Sequence, residues 1–366
     1  MLTASAEAGL IDQQEYFQKR VASHNLSHYY LLERGDFAYN HSSSGNAVLG
    51  IIKRLDAYDS GCLSTLYIVF HPKRDIDSDY LLHYFESSAW HGDVAGMVTE
   101  GARNHGLLNI SPDTFFTARC SFPSLPEQRR IGKFFIILDN LIAAAERQEA
   151  LLRQKKQAYL QLMFPQEGET QPRLRFAGFS GRWERRQLGD VISAAGIKNK
   201  ERQNLQSYSI SNQSGFVPQS EQFDNGGKPL DADKSSYWIV APHSFAYNPA
   251  RINVGSIGYW DGKEPVIVSS LYEVFQTHES VDDSFLLNWF QTCLFTNQIA
   301  KRQEGGVRQY FFFDKLQESL ISLPTLPEQQ RIGEFFYILD SLIATAEKHT
   351  ESSRALKSSY LQRMFV

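Results

Sequence analysis

One stretch occurs twice in this chain, and it limits what the rest can be. Residues 125–164 read LPEQRRIGKFFIILDNLIAAAERQEALLRQKKQAYLQLMF, and residues 326–365 read LPEQQRIGEFFYILDSLIATAEKHTESSRALKSSYLQRMF. The offset is a constant 201 without a gap, and 24 of the 40 positions are identical. A match of that length marks an internal duplication, which has to be read before any local feature.

Apolar residues in the first copy recur at Ile131, Leu138, Ala145, Leu152 and Tyr159, with a second series at Phe134, Leu141 and Leu162. Phe135, Ile142 and Met163 stand beside that second series. The second copy repeats the pattern with Ile332, Leu339, Ala346 and Tyr360, and with Phe335, Leu342 and Leu356. Three-four spacing over five heptads is the period of a helix with a packing seam. Pro126 and Pro327 suit a first helical turn, and Glu127 and Glu328 complement the helix dipole there. About 37 helical residues would span roughly 55 Å, longer than an ordinary domain helix. Gln148 and Lys155 interrupt the seam in one copy, His349 and Ser353 in the other. The copies are either surface helices of two separate domains or a pair packed on each other as a spacer. The repeated apolar ends favour the pair, antiparallel, with the FF-x-x-LD end of one beside the Y-L-Q-x-M-F end of the other.

Composition bounds the rest. The 366 residues allow two to three domains, and 42% hydrophobic with 13% aromatic content supplies a sizeable core. A net charge of −4 gives no global sign of nucleic-acid binding, although it leaves a local basic face open. Cys62, Cys120 and Cys293 show no CxxC or Cys/His spacing, so reduced thiols, no zinc site and a cytoplasmic location are expected. No basic leader and no window of 18 apolar residues occurs, so neither a signal peptide nor a membrane span is expected.

The regions before the two helices match more weakly. Residues 36–40 (DFAYN) face 244–248 (SFAYN), and 64–70 (STLYIVF) face 269–275 (SSLYEVF). Residues 77–82 face 282–287, and Glu100-Gly101 faces Glu304-Gly305. Offsets drift only between 204 and 208, as loop insertions produce. Each module mixes short β-branched and aromatic runs with helical spacing, which indicates an α+β domain with a curved sheet. Residues 165–172 (PQEGETQP) read as a linker. The basic, aromatic stretch 173–190 (RLRFAGFSGRWERRQLGD) has no counterpart in the first half.

L-P-x-L-P-E-Q-x-R-I, a long helix, Y-L-Q-x-M-F and then P-R-L-R-F-x-G-F-x-G-x-W-E-x-R-x-L-G-D resemble the DNA-specificity (S) subunit of type I restriction-modification systems. The tandem G-D-F-A-Y-N, S-x-L-Y-x-V-F and E-G blocks resemble its target-recognition domains. The likeness runs over essentially the whole chain, twice. It implies two tandem globular recognition domains joined by two long helices packed as an antiparallel coiled coil. It sets their bounds at 1–122 for the first recognition domain, shortened at its start, 123–165 for helix 1, 166–324 for the second domain and 325–366 for helix 2. It implies a non-catalytic subunit that reads a bipartite site on double-stranded DNA. It also implies two methylation subunits and restriction subunits as partners, and no membrane. S-adenosylmethionine, ATP and magnesium would sit on those partners, with no cofactor and no metal in this chain. The rival reading is a truncated scaffold with one functional reading head.

The chain's own motifs agree. Tyr247-Asn248-Pro249-Ala250 lacks the second Pro of an adenine methylase, and no G-x-x-x-x-G-K-[ST] loop occurs. Candidate DNA contacts are Arg103, Asn104 and His105 in one Gly-rich loop and Arg308 and Gln309 in the other, because Arg suits guanine and Asn or Gln suits adenine. Asn40, Asn248, Arg251 and Asn253 follow strand ends, where capping is the competing role, and Lys53 and Lys228 are candidate phosphate contacts. Ile131, Phe134, Leu138, Leu141, Ile332, Phe335, Leu339 and Leu342 are expected in the coiled-coil or subunit interface.

Overall fold

The structure is a computed structural model. It describes residues 1–18, 27–42, 47–98, 108–222, 233–303 and 309–365. The chain divides into unit 1, Met1–Arg147 with Ala346–Val366, and unit 2, Gln148–Thr345. Both repeated stretches form 39-residue helices, and each helix contributes one part to each unit.

Unit 1 opens with β1 (Leu2–Ser5) and β2 (Gly9–Asp12), an antiparallel pair, and α1 (Gln13–Phe17). β3 (Tyr30–Glu33), β4 (Phe37–Asn40), β5 (Ile51–Arg54), β6 (Ser60–Leu63) and β7 (Ile68–Phe70) follow. Helices α2 (Ser78–Glu86), α3 (His91–Ala95) and α4 (Pro112–Phe115) lead into the long α5 (Leu125–Met163). β3 pairs with β6, and β4 lies between β5 and β7. The run YLLERGDFAYN therefore sends its two strands into different sheets. Alternation explains it, since Leu32 and Ala38 enter one apolar cluster while Phe37 and Tyr39 enter another.

Unit 2 contains β8 (Glu184–Gln187), β9 (Ile192–Ala194), β10 (Ile197–Lys198), β11 (Ser207–Ser211), β12 (Gly215–Pro218) and α6 (Gln219–Gln222). Then come β13 (Trp238–Val240), β14 (Ser244–Tyr247), β15 (Ile257–Trp260), β16 (Val266–Val268) and β17 (Glu273–Thr277). Helices α7 (Asp283–Trp289), α8 (Cys293–Arg302) and α9 (Phe313–Gln317), strand β18 (Leu320–Leu323) and the long α10 (Leu326–Met364) complete the chain. The sheet orders are β10-β13-β16-β11-β12, β15-β14-β17-β9 and β18-β8. This is α+β architecture. The apolar runs ahead of α4 and α9 lead directly into these short helices: Ser111 caps the start of α4, and Phe311 is fully buried just before α9.

Each unit holds the start of one long helix against the N-terminus of a shorter one. In unit 1 Gln128 Oε1 accepts from the Asp77 amide at 2.9 Å, while Gln128 Nε2 donates to the Pro123 carbonyl at 2.9 Å. In unit 2 Gln329 does the same with Asp282 at 3.0 Å and Pro324 at 3.0 Å. The approach is close enough to require glycine. A Cβ on Gly132 would lie 2.7 Å from the Tyr80 nitrogen; one on Gly333 would lie 2.7 Å from Asp282 Oδ1 and 3.2 Å from the Phe285 nitrogen. Alanine would gain about 1 kcal/mol of helix propensity, so the crowding decides the sign. Gly333→Val, whose propensity gain is smaller and whose bulk is greater, is expected to lower stability by about 1–3 kcal/mol. Urea unfolding checks this; an unchanged midpoint would show that the helix start can slide.

The two long helices also touch each other inside each unit. In unit 1 Phe134 lies edge-on to Tyr360 at 5.1 Å and Phe135 stacks on Phe365 at 5.5 Å. In unit 2 Tyr159 lies edge-on to Phe335 at 5.0 Å and Phe164 stacks on Phe336 at 6.2 Å. Subtracting 201 turns each contact of one unit into a contact of the other, with the two copies exchanged. The same holds for ions: Lys357 reaches Asp139 at 2.6 Å, and Lys156 reaches Asp340 at 2.6 Å.

The buried seam differs by one residue from the sequence expectation. Leu141 and Leu342 are 57% and 50% exposed, and Leu162 and Leu356 also face outward. Phe135, Ile142 and Met163 are the buried members, as are Phe336 and Ile343, while Phe134 and Phe335 stay in the helix contact half-buried. The adjacent Phe-Phe pairs made the choice of series ambiguous; only a step of four from Ile131 or Ile332 keeps both series on one face. The polar interruption shifts likewise. Lys156, Thr350 and Lys357 sit in the seam, while Gln148, Lys155 and His349 are exposed.

Candidate nucleic-acid interface

Unit 2 gathers four of the candidate contacts into one place. Asn248, Arg251, Asn253 and Gln309 line an open cavity of about 880 Å³ together with Trp238, Leu271, Glu273, Tyr310 and Phe312. The backbone explains the gathering. β14 ends at Tyr247, and Asn248 Oδ1 accepts from the Ala250 amide at 3.0 Å to make a tight turn. The Phe311 amide then donates to the Pro249 carbonyl at 3.0 Å, tying residues 309–312 to that turn. Gly255, at φ 89°, closes the short helical turn that carries Asn253.

The side chains divide by task. Asn248 spends its oxygen on the turn, and Asn40 does the same in unit 1, accepting from the Ser42 amide at 3.2 Å. The capping role assigned to both as the competing reading is present. Arg251, Asn253 and Gln309 are exposed, and Arg251 has no ion-pair partner among the described residues. Tyr310 and Phe312 stack at 5.4 Å with an interplanar angle of 4°, and Phe312 is exposed. The wall thus offers guanidinium and amide groups beside flat apolar faces.

Two lining residues, Trp238 and Glu273, interact with charge outside the lining. Lys198 Nζ lies 3.2 Å from the centroid of the Trp238 ring, a cation–π contact. Burial lowers the Lys198 ammonium pKa, opposed by the charge of Glu273. Burial raises the Glu273 carboxyl, reinforced by Asp314 and opposed by Lys198 and a backbone hydrogen bond from Phe313. Burial drives the Tyr247 phenol far above its ordinary value, and its hydroxyl has no hydrogen-bond partner among the described residues. Trp238, Tyr310, Phe312 and Leu271 escaped the sequence reading because aromatic and apolar residues there look like strand core.

In unit 1, Asn40 ends β4, and Lys53 is half-buried on β5 with Ala38 as its cross-strand partner. Arg103, Asn104, His105, Lys228 and Arg308 lie outside the described residues.

The described residues hold one cluster with metal-ligating chemistry: His83, Glu86 and Asp139. Lys357 already occupies it, with Nζ 2.8 Å from Glu86 and 2.6 Å from Asp139, and His83 Nδ1 lies 2.9 Å from Glu86. The ammonium supplies the positive charge a cation would bring, so the cluster serves the helix contact. No helix among the described residues is long and apolar enough to cross a membrane.

Comparison with known proteins places this geometry. Residues 181–352 match the type I restriction modification DNA specificity domain. The chain is similar in fold to a type I R-M system chain from work on complex assembly and conformational transition, at TM-score 0.54 and 17% identity, covering 93% of this chain and 84% of that one. It is also similar to the type I restriction-modification system S subunit from M. genitalium, at TM-score 0.52 and 10% identity, covering 91% and 83%. No curated protein matches the chain significantly in sequence. Residues 181–352 thus match the family model of the type I restriction modification DNA specificity domain, and the chain shares its fold with those two structures along most of its length.

Proposed function

We propose that the chain is the non-catalytic specificity subunit of a type I restriction-modification complex and reads a bipartite site on double-stranded DNA. The observation that carries this reading is the duplication itself: two units of like fold, each holding the same helix contacts with the copies exchanged. A site read in two halves needs two readers on a stiff spacer, because protein dimensions set half-site separation. Continuous 39-residue helices paired as an antiparallel coiled coil suit that spacer. In the second recognition domain, Arg251, Asn253 and Gln309 supply base-edge and phosphate contacts.

The outward faces of the helices support docking of two methylation subunits. Ile137, Leu141, Ile338 and Leu342 are exposed at corresponding positions of both copies. Methylation and restriction subunits would bring S-adenosylmethionine, ATP and magnesium. A second reading, in which only unit 2 reads DNA, draws on the exposed strand edge of unit 1, where Leu31 is 68% exposed.

Co-expression with the methylation subunit, followed by mapping of modified adenines, tests the proposal. The expected result is one split motif. Arg251→Ala with Gln309→Ala is expected to relax or abolish one half of it and leave the other unchanged, each lost base contact costing about 1–3 kcal/mol of discrimination. No modified motif at all defeats the main reading; a motif with a single half supports the second.

A further inference from the structure

Residues 184–198 close three edges of unit 2. β8 pairs with β18, β9 with β17 and β10 with β13. Ahead of them Arg175 holds the Glu328 carboxylate at 2.6 and 2.7 Å, with Glu328 only 1% exposed. At the equivalent places of unit 1 no described strand or cation is present. Residues 119–122, the counterpart of β18, have no strand partner among the described residues. Ile321 is 1% exposed, whereas its counterpart Cys120 is exposed. Ile239 is half-buried opposite Ile197, whereas its counterpart Leu31 is 68% exposed. Glu127, the counterpart of Glu328, is exposed. The Val191 carbonyl accepts from the His278 amide at 2.8 Å, and Ile192 and Ser193 face Thr277 and Gln276. The counterparts of residues 276–278 are His71, Pro72 and Lys73, which line an open cavity of about 700 Å³.

We propose that this face of unit 1 takes up, by strand addition, an extended segment with the chemistry of residues 173–198. The occupant is extended, basic and aromatic, with an arginine for Glu127, a strand for residues 119–122 and an apolar residue for the cavity at Pro72. Unit 2 shows that this surface chemistry, when covered, is covered by such a segment. An unpaired edge beside an unpaired carboxylate is a template for backbone pairing with charge selection. Pro72 lacks an amide donor, so residues 119–122 and Glu127 carry most of the recognition.

The test uses the full chain and a labelled synthetic peptide with the sequence of residues 173–198. One-to-one binding is expected by fluorescence anisotropy, with hydrogen-exchange protection at residues 119–122 and none gained at 320–323. Glu127→Gln, at an exposed site in the first turn of α5, is expected to weaken binding about tenfold or more, and so is a peptide with the Arg175 position changed to Gln. Absence of binding, binding indifferent to both changes, or protection confined to 320–323 would overturn the proposal. So would a dimer of the chain that the peptide fails to dissociate, since a second copy would then hold the face.

Discussion

Arg175→Met is expected to destabilise unit 2 by about 3–5 kcal/mol, the usual consequence of stranding a buried charge. Glu328 is 1% exposed, and Arg175 Nε and one terminal nitrogen hold its two oxygens at 2.6 and 2.7 Å. The same guanidinium donates to the Gly181 and Ser180 carbonyls at 2.7 and 3.1 Å, so it also fixes the loop ahead of Trp183. Methionine keeps much of the stem volume and removes all of these bonds. The carboxylate is then left buried without its charged partner. Equilibrium urea unfolding followed by tryptophan fluorescence reads the loss, since Trp183, Trp238, Trp260 and Trp289 all lie in unit 2. Adding Glu328→Gln to the methionine variant is expected to recover part of it, because the pair is then replaced rather than broken. If the single variant unfolds at the wild-type midpoint, the bidentate pair contributes nothing and the account of this junction fails.

Lys357→Met is expected to lower the stability of unit 1 by about 1–3 kcal/mol, and to do so in a pH-dependent way. Lys357 bridges Glu86 and Asp139, with 16% of its side chain exposed. Burial alone raises the Glu86 carboxyl, but hydrogen bonds and charge from His83 and Lys357 outweigh it and bring it from 4.5 down to about 2. Burial lowers the Lys357 ammonium, and Glu86 and Asp139 outweigh that and raise it above 10.5. A depressed carboxyl stabilises the fold above its unfolded value, and the contribution fades as pH falls from 4.5 towards about 2. A raised ammonium contributes below its unfolded value and fades only at strongly alkaline pH. Thermal melts of the wild type should therefore lose stability through that acid interval. In the methionine variant the Glu86 carboxyl moves up, and the loss begins at higher pH. Parallel pH profiles for the two proteins would sink the argument.

Legibility in the sequence followed periodicity. The helices were readable because a repeat of three and four over 39 residues has no other physical reading, and the constant offset supplied a second copy as a check. How the two neighbouring phenylalanines divide the contact was not readable, because they are chemically the same: Phe135 is fully buried on Phe365, while Phe134 is half-buried against Tyr360. Strand pairing was invisible for a similar reason. The two strands between Tyr30 and Asn40 are neighbours in sequence, yet they pair with β6 and β7, 27 to 33 residues further along. At the cavity, Asn248, Arg251 and Asn253 were singled out as polar residues after a strand end and Gln309 as part of a Gly-rich loop, and the structure brings all four to one wall. Trp238 and Phe312 could not be found, since nothing local distinguishes an aromatic that lines a cavity from one that fills a core.

The exchanged helix contacts have a consequence for how such a chain tolerates change. Phe134 meets Tyr360 and Tyr159 meets Phe335, so every contacting position draws on one vocabulary shared by both copies. A graft that replaces the strands ahead of one helix with those of another chain leaves that vocabulary intact, provided the junction falls before Leu125 or Leu326. Substitution within the helices has the opposite character. A residue suited to one helix must also suit its counterpart's neighbour, which ties the two copies together while the globular regions ahead of them are free to diverge.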